Sequence, residues 1–309
     1  MISVLIPTHQ RAGLLDRALT ALGRQRLPSG LEWEIVVANN NCTDDTPEVV
    51  RRHAQTAPRG VRQVLETRPG ANYARNAALG AAKGEVFACI DDDIEPDEGW
   101  LATALVTLDR EKADMVGGRI LPRWEVPPPP WLLDNHEFYD YLGLMAVETS
   151  KRLSLPFRDR PKIWGGNMIF RRSTVDRVGA FSVDVGRTSE RLFSGDESDF
   201  IRRVLEAGGV VFYDPAIFVR HYVPRERMRQ SYFWRWIYGY AQGRVAFLPE
   251  PTGRRLFGLP RWMYPRLAHH GLQFAMAPRS LRRQIDFFWE LGLFMGWYRR
   301  RYPKRSAGR

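Results

Sequence analysis

Val86-Phe87-Ala88-Cys89-Ile90-Asp91-Asp92-Asp93 runs five apolar residues straight into three adjacent carboxylates. The apolar run reads as a strand covered on both faces. Three neighbouring carboxylates repel one another, so unless fully exposed they need cations or hydrogen-bond donors around them. At the C-terminal edge of a parallel sheet they would face the crevice in which α/β folds bind ligands. Hard carboxylate oxygens suit Mg²⁺ or Mn²⁺, ions that commonly bridge to phosphates. A solvated acidic turn ahead of the next helix is the plainer alternative.

The surrounding chain supports a sheet. Upstream, strands are expected at Ile2–Pro7, Glu34–Ala38 and Val61–Glu66, and helices at Leu14–Gln25, Thr46–Ala54 and Asn72–Ala82. Downstream, a helix is expected at Gly99–Glu111 and a strand at Met115–Leu121. Strand and helix alternating this way imply parallel β-α-β units with helices on both faces. Pro122–Pro161, with four prolines in a row at Pro127–Pro130, breaks the rhythm and reads as a loop or excursion. Beyond it come a strand at Lys162–Arg171, helices at Ser173–Val178 and Glu197–Ala207, and a strand at Val210–Tyr213, with Ala216–Arg220 strand-like. From Pro224 the patterns are helical but interrupted by prolines.

The chain has 309 residues, 44% hydrophobic and 26% charged, which excludes a fibrous or mainly disordered protein. Its two cysteines, Cys42 and Cys89, provide neither a disulfide framework nor a thiolate zinc site, and they fit a reducing, cytosolic compartment. MISVLIPTHQR at the N-terminus makes a poor signal peptide. No apolar run reaches the roughly 18 residues that span a bilayer.

Charge is unevenly distributed. Residues 1–223 carry 28 basic and 31 acidic side chains, whereas residues 224–309 carry 18 basic and 4 acidic, net +14. The same tail holds 18 of the 37 aromatic residues, in patches such as Tyr232, Phe233, Trp234, Trp236, Tyr238 and Tyr240. Arginine attracts acidic headgroups while Trp and Tyr prefer the headgroup level, so an anionic membrane surface is the favoured partner. Nucleic acid is not expected, although phosphate contacts and stacking could draw on the same residues. Helices packed through arginine and aromatic side chains are the remaining explanation.

Two further stretches flank the acidic cluster. Trp33-Glu34-Ile35-Val36-Val37-Ala38-Asn39-Asn40-Asn41-Cys42-Thr43-Asp44-Asp45-Thr46 brings small polar groups to another strand end, on the same edge if the strands are parallel. They can hydrogen-bond a base or ribose, and Thr43 or Asp44 can also cap the following helix. Gly70-Ala71-Asn72-Tyr73-Ala74-Arg75-Asn76 opens a helix with an arginine in its first turns, suited to a diphosphate.

With these residues in place, the chain resembles the family-2 glycosyltransferases, inverting enzymes of GT-A fold that use nucleotide-sugars. The resemblance rests on Ile6-Pro7-Thr8, the Asn39–Thr46 segment, Ala74-Arg75-Asn76 and Ile90-Asp91-Asp92-Asp93. It continues through Trp164-Gly165-Gly166-Asn167-Met168, Gly195-Asp196-Glu197-Ser198-Asp199-Phe200 and His221. It covers residues 1–230 in the expected order. It implies a GT-A catalytic domain at 1–223, with a nucleotide-binding half (1–121) and an acceptor-binding half (122–223), followed by a helical basic and aromatic extension at 224–309.

The resemblance also implies roles. Asp91 and Asp93 match the ends of the family's DxD motif: Asp93 on a divalent metal at the donor diphosphate, Asp91 at the ribose or the metal shell, with Asp92 between them in the nucleotide-sugar site. Pro7, Thr8 and Arg75 match positions beside the nucleotide. Asn39 stands where many members carry an aspartate, and its amide both donates and accepts, so the base it reads stays open. Trp164, Gly165, Gly166 and Asn167 match the acceptor-side loop. Asp196 and Glu197 match the family's paired acids in exchanged order, making Glu197 the catalytic base and Asp196 its reserve. A helix cap made of acids is the plainer use of that pair. His221 matches a position that ligates the metal or touches the diphosphate.

The implied reaction is a single displacement from a nucleotide-sugar to a glycan or lipid-linked acceptor, on the inner face of a plasma membrane. Nucleotidyltransferase and dehydrogenase chemistry are disfavoured, because Pro7-Thr8-His9-Gln10-Arg11 is not a glycine-rich phosphate loop and no GxGxxG follows a strand. A non-catalytic sugar-nucleotide-binding or scaffold protein of the same fold is the alternative.

Overall fold

Strand β1 (Ile2–Thr8) is buried along nearly all its length and carries parallel neighbours on both sides, β2 (Trp33–Asn39) and β4 (Val86–Cys89), while β3 (Val61–Leu65) extends the sheet beyond β2. The computed structural model describes residues 1–56, 60–155, 162–183, 196–245 and 248–302. Backbone contacts divide the chain into two units, one running up to Arg225 and one from Glu226 onward.

The first unit follows the expected alternation as far as β4. Helices α1 (Ala12–Leu22), α2 (Thr46–Thr56) and α3 (Ala71–Ala81) connect the parallel strands. In α1, Leu15, Ala18, Leu19 and Leu22 are buried, a stripe at helical spacing. Asp44 caps α2: its Oδ1 accepts from the Thr46 N–H at 3.3 Å and the Thr46 hydroxyl at 2.7 Å. Its Oδ2 accepts from the Ala12 N–H at 2.8 Å, so one carboxylate ties together the starts of two helices.

Past β4 the topology turns mixed. The strand order is β3-β2-β1-β4-β8-β6-β9-β5, with β7 also on β9. Here β5 is Ile94–Pro96, β6 Met115–Trp124, β7 Lys151–Arg152, β8 Met168–Arg171 and β9 Val211–Val223. β8 runs antiparallel to both β4 and β6, whereas β6 and β9 are parallel. Helices α4 (Trp100–Arg110), α5 (Pro130–Leu133), α6 (Arg172–Val178) and α7 (Asp196–Glu206) complete the unit.

Several expectations need correction. The strand expected at Lys162–Arg171 begins only at Met168, because Gly165–Asn167 forms a single 3₁₀ turn. Pro122–Pro161 is not simply a loop. β6 continues to Trp124, α5 and a 3₁₀ segment (His136–Leu142) follow, and β7 rejoins the sheet, while Pro156–Pro161 lies outside the described residues. Val210–Tyr213 and Ala216–Arg220 are one strand, β9. Pro215 sits in it opposite a register irregularity between Gly117 and Arg119 of β6, where a missing N–H is tolerated. β5 has no counterpart in the sequence reading, since three residues containing Glu95 and Pro96 carry no strand signature.

The second unit is helical: α8 (Gln230–Arg244), α9 (Met263–Met276) and α10 (Leu281–Arg301), with a hairpin of β10 (Arg255–Leu256) and β11 (Leu259–Pro260). Val245, Leu259, Met263 and Trp297 form its buried cluster. Part of its aromatic content holds helices together. Trp234 stacks on Phe288 with centroids 5.3 Å apart and donates from Nε1 to Gln284 Oε1 at 2.8 Å, and Phe274 stacks on Phe287 at 5.3 Å. Among the described residues no helix is long and apolar enough to cross a membrane.

Candidate active site

The parallel pairing of β1, β2 and β4 fixes a common edge for their C-terminal ends. Thr8 is the register partner of Asn39, and the Ile90 N–H donates to Leu5 O at 3.2 Å, so Asp91–Asp93 emerge beside both. Asp92 and Asp93 are buried there, at 4% and 7% exposure. Thr8 Oγ1 donates to Asp92 Oδ2 at 2.8 Å. Arg11 Nη1 donates to Asp92 Oδ1 at 3.0 Å and to Asp93 Oδ2 at 3.2 Å. Burial pushes the Asp92 carboxyl up to about 6, and the neighbouring Asp93 adds to the rise while Arg11 opposes it.

β5 completes the side of the site on which Asp93 lies. Ile94 pairs with His221 across the β5–β9 ladder and the Tyr222 N–H donates to Asp93 O at 2.9 Å, which brings His221 Nε2 to 3.3 Å from Asp93 Oδ2. Both side chains are under 10% exposed. Asp91 does not join them: Arg75 Nη2 holds its Oδ1 at 3.2 Å. Among the described residues no three His, Cys, Asp or Glu side chains gather where a metal ion could sit. Asp93 and His221 thus meet as a pair, without Asp91.

Arg75 is the buried hub of the opposite side. Its side chain is 6% exposed, and besides Asp91 it reaches Glu197 Oε1 at 3.7 Å from the same Nη2. Nη1 donates to Asn72 Oδ1 at 3.3 Å, one turn earlier on α3, and the guanidinium lies 5.9 Å from the Phe181 ring centroid. Glu197 comes from the first turn of α7. Gly195 and the side chain of Asp196 lie outside the described residues.

The loop ahead of β8 lines this pair. Trp164 has extended backbone, its ring 5.8 Å from Lys162 Nζ, and Gly165 and Gly166 follow in the 3₁₀ turn. A Cβ on Gly165 would come within 2.8 Å of both Arg75 Nη2 and Glu197 Oε1, so the close approach requires glycine. Gly166 packs beside Asp91 and Ile94. Asn167 is fully buried and faces the framework. Its Oδ1 accepts from Trp100 Nε1 at 2.8 Å, and its Nδ2 donates to Arg119 O at 2.9 Å and Ile217 O at 3.1 Å.

At the other end of the edge, Pro7 is half-buried beside Thr8. Asn39 is 3% exposed and accepts at Oδ1 from the Cys42 N–H at 2.8 Å, shaping the turn after β2. Asn40 is a second staple, donating to Glu66 O and Arg68 O, each at 2.8 Å, and accepting from the Gly70 N–H at 3.0 Å. The Cys89 thiol, buried in β4, is pushed up to about 12 and is no nucleophile.

Arg11 was absent from the sequence-derived site. The signal for it was available: a carboxylate cluster that needs a cation, and an arginine three residues beyond the first strand's end on the same edge. Asn40 and Asn72 could not be singled out from the sequence, because what they bond to is set by the packing of distant segments.

Comparison with known proteins places the fold and the family. Residues 3–179 match the profile described as Glycosyl transferase family 2. The chain is 23% identical over 263 residues to Glycosyltransferase AglE of Haloferax volcanii, a match covering 85% of this chain and 79% of that protein. Mannosyltransferase PcManGT from Pyrobaculum calidifontis, solved in complex with GDP-Man and Mn²⁺, superposes with a TM-score of 0.62 at 21% identity, covering 98% of this chain and 87% of that one. TarS 1-349 of S. aureus in complex with UDP-GlcNAc superposes with a TM-score of 0.57 at 15% identity, covering 97% and 91%. At these identities the superpositions show the fold, which is GT-A. The profile spans more than half of the chain, from within β1 to the end of α6, and the protein accordingly belongs to glycosyl transferase family 2.

Proposed function

We propose that the enzyme moves a sugar from a nucleotide-sugar to a hydroxyl of a polysaccharide or lipid-linked glycan, inverting the anomeric carbon. The observation that carries this reading is the buried guanidinium of Arg75, which has the half-exposed Asp91 at 3.2 Å and the largely buried Glu197 at 3.7 Å. One crevice then offers a fixed positive charge for a departing diphosphate and a carboxylate for an incoming hydroxyl.

Pro7, Thr8 and Asn39 border the nucleoside, at the joint end of β1 and β2, and Asp91 and Asp92 border the ribose and diphosphate. Arg75 stabilises the charge that develops on the leaving group. Glu197 accepts the acceptor hydroxyl's proton as that oxygen attacks, with Asp196 in reserve. Trp164, Gly165 and Gly166 bound the acceptor, while Asn167 acts by holding their turn against β6 and β9.

Asp93 and His221 fit a divalent ion, Mn²⁺ or Mg²⁺, as a two-residue corner. A carboxylate and an imidazole meet at 3.3 Å, and diphosphate oxygens and water are the usual remaining ligands of such ions. Bound there, the ion supplies positive charge to the diphosphate. PcManGT, solved with GDP-Man and Mn²⁺, supports metal use in the family. Residues 1–223 form the catalytic part, split at 121 and 122 into nucleotide and acceptor halves. Residues 224–309 meet an anionic membrane surface on the cytoplasmic side.

Thermal unfolding with a panel of nucleoside diphosphates, with and without Mn²⁺, tests the reading. One nucleotide should raise the Tm in a metal-dependent way in wild type and not in Asp93→Ala. Glu197→Gln should keep that rise and lose sugar transfer. No rise with any nucleotide would overturn the donor assignment and favour the scaffold alternative.

A further inference from the structure

Phe257 is 76% exposed and has a φ of +44°. Both properties are unfavourable: a large apolar ring stays in water, and the backbone adopts a left-handed conformation that bulky residues avoid. Leu256 pairs with Leu259 across β10 and β11, and Gly258 has a φ of +74°, so Phe257 and Gly258 form a two-residue turn with both φ values positive. Such turns favour Asn, Asp or Gly at their first position. Phe257 is therefore the wrong residue for the turn and the wrong residue for water.

Nothing about the hairpin is loose. Leu259 is buried in the cluster with Val245, Met263 and Trp297. Tyr264 Oη donates to Leu256 O at 2.7 Å, Arg255 Nη1 to Gly258 O at 3.2 Å, and Trp262 Nε1 to Thr252 O at 3.1 Å. One side of the hairpin is anchored while its tip projects Phe257 outward.

The surroundings match one kind of surface. Leu256, Trp262 and Tyr302 are 43%, 47% and 48% exposed, and Arg254, Arg255 and Arg261 are exposed beside them. The end of α10 adjoins the turn: a Cβ on Gly258 would lie 2.8 Å from Tyr302 Oη and 3.1 Å from Arg301 Cγ. Glu250, paired with Arg255 at 3.1 Å, is the acidic side chain at this patch among the described residues. An apolar tip, a ring of Trp and Tyr, and an outer set of arginines follow the polarity profile of a bilayer from acyl chains to headgroup phosphates.

We propose that the β10–β11 hairpin is a membrane wedge. Leu256 and Phe257 enter an anionic bilayer, Trp262 and Tyr302 lie at the headgroup level, and Arg254, Arg255, Arg261 and Arg301 meet the lipid phosphates. This rests on the membrane contact proposed for residues 224–309 and names the element that makes it.

Flotation of the full chain with phosphatidylcholine vesicles, with and without phosphatidylglycerol, tests the wedge. Wild type should float with the anionic vesicles, and Phe257→Asn should lose at least tenfold in vesicle affinity. Asn suits the turn, so the Tm of Phe257→Asn should match or exceed that of wild type, which separates lost binding from lost folding. The triple change Arg254→Gln, Arg255→Gln, Arg261→Gln should weaken binding and flatten its salt dependence. Should wild type float and Phe257→Asn float equally well, the wedge is wrong and the broader membrane contact stands. Should wild type fail to float, both fall. A dimer of wild type that Phe257→Asn abolishes without vesicles would overturn the lipid assignment in favour of a second copy of the chain.

Discussion

Arg75 Nη2 and Glu197 Oε1 face each other across 3.7 Å, with the backbone of Gly165 packed against both. The guanidinium comes from α3 and the carboxylate from α7, so this contact joins a helix of the parallel part of the chain to one that follows the mixed part. The Gly165 turn sets the room in which they meet.

Gly165→Ala should disturb this contact without unfolding the protein. The added methyl would lie 2.8 Å from the tips of two side chains, which can swing aside, and the Gly165 backbone has an ordinary φ. The expected result is a Tm within a few degrees of wild type and a fall in sugar transfer of about 10²-fold, the scale set by a displacement of roughly 1 Å. An unchanged transfer rate would remove the pair from the reaction.

Arg75→Lys should behave as a loss and not as a conservative change. A lysine is a compact charge that cannot reproduce the fork that reaches Asn72, Asp91 and Glu197 together. Transfer should drop at least tenfold while the charge is retained. Arg75→Ala should also lower the free energy of unfolding in urea by about 3 kcal/mol, since it leaves the 13%-exposed Glu197 beside a missing cation.

Asn40→Ala should cost about 2–3 kcal/mol in a urea melt, because it leaves the carbonyls of Glu66 and Arg68 and the N–H of Gly70 without the partner they have now. Asn40→Asp should cost at least as much, as it turns a donor facing two carbonyls into an acceptor.

Glu66 should contribute to acid sensitivity. Hydrogen bonds from the Arg68 guanidinium and backbone N–H hold its carboxyl well below the ordinary 4.5, at about 2. A depressed carboxyl stabilises the fold above its unfolded value and loses that contribution on protonation. Its share of stability is therefore complete above pH 4.5 and disappears as the pH falls towards 2. Urea midpoints taken from neutral pH to pH 2 should fall less steeply for Glu66→Gln than for wild type.

The local parts of this protein were legible in its sequence. Apolar runs ending in Asp91–Asp93 and in Asn39 mark strands β4 and β2, because hydrophobic alternation and length are properties of contiguous residues. The same holds for the amphipathic stripe of α1 and the Asp44 cap. Parallel pairing then puts Thr8, Asn39 and Asp91 on one edge. The ordered set of motifs was enough to point to the family.

Other features depend on residues far apart in the chain, and only the tertiary structure decided them. β5 is too short to have a signature of its own and exists because β9 offers it a ladder, yet this pairing is what delivers His221 to Asp93. Asp91 leaves that pair because Arg75 holds it on the other side. Asn167, which by sequence could have faced a ligand, is turned inward by Trp100 and two carbonyls. The tail's composition foretold a basic aromatic region, but its packing stacked half-buried Trp234 on Phe288 between helices and left Phe257 at the tip of a turn. Residue type and spacing determine which side chains have charge, ring or amide to offer. Which of them face a crevice, a core or water is settled by long-range hydrogen bonds and burial that a linear pattern does not encode.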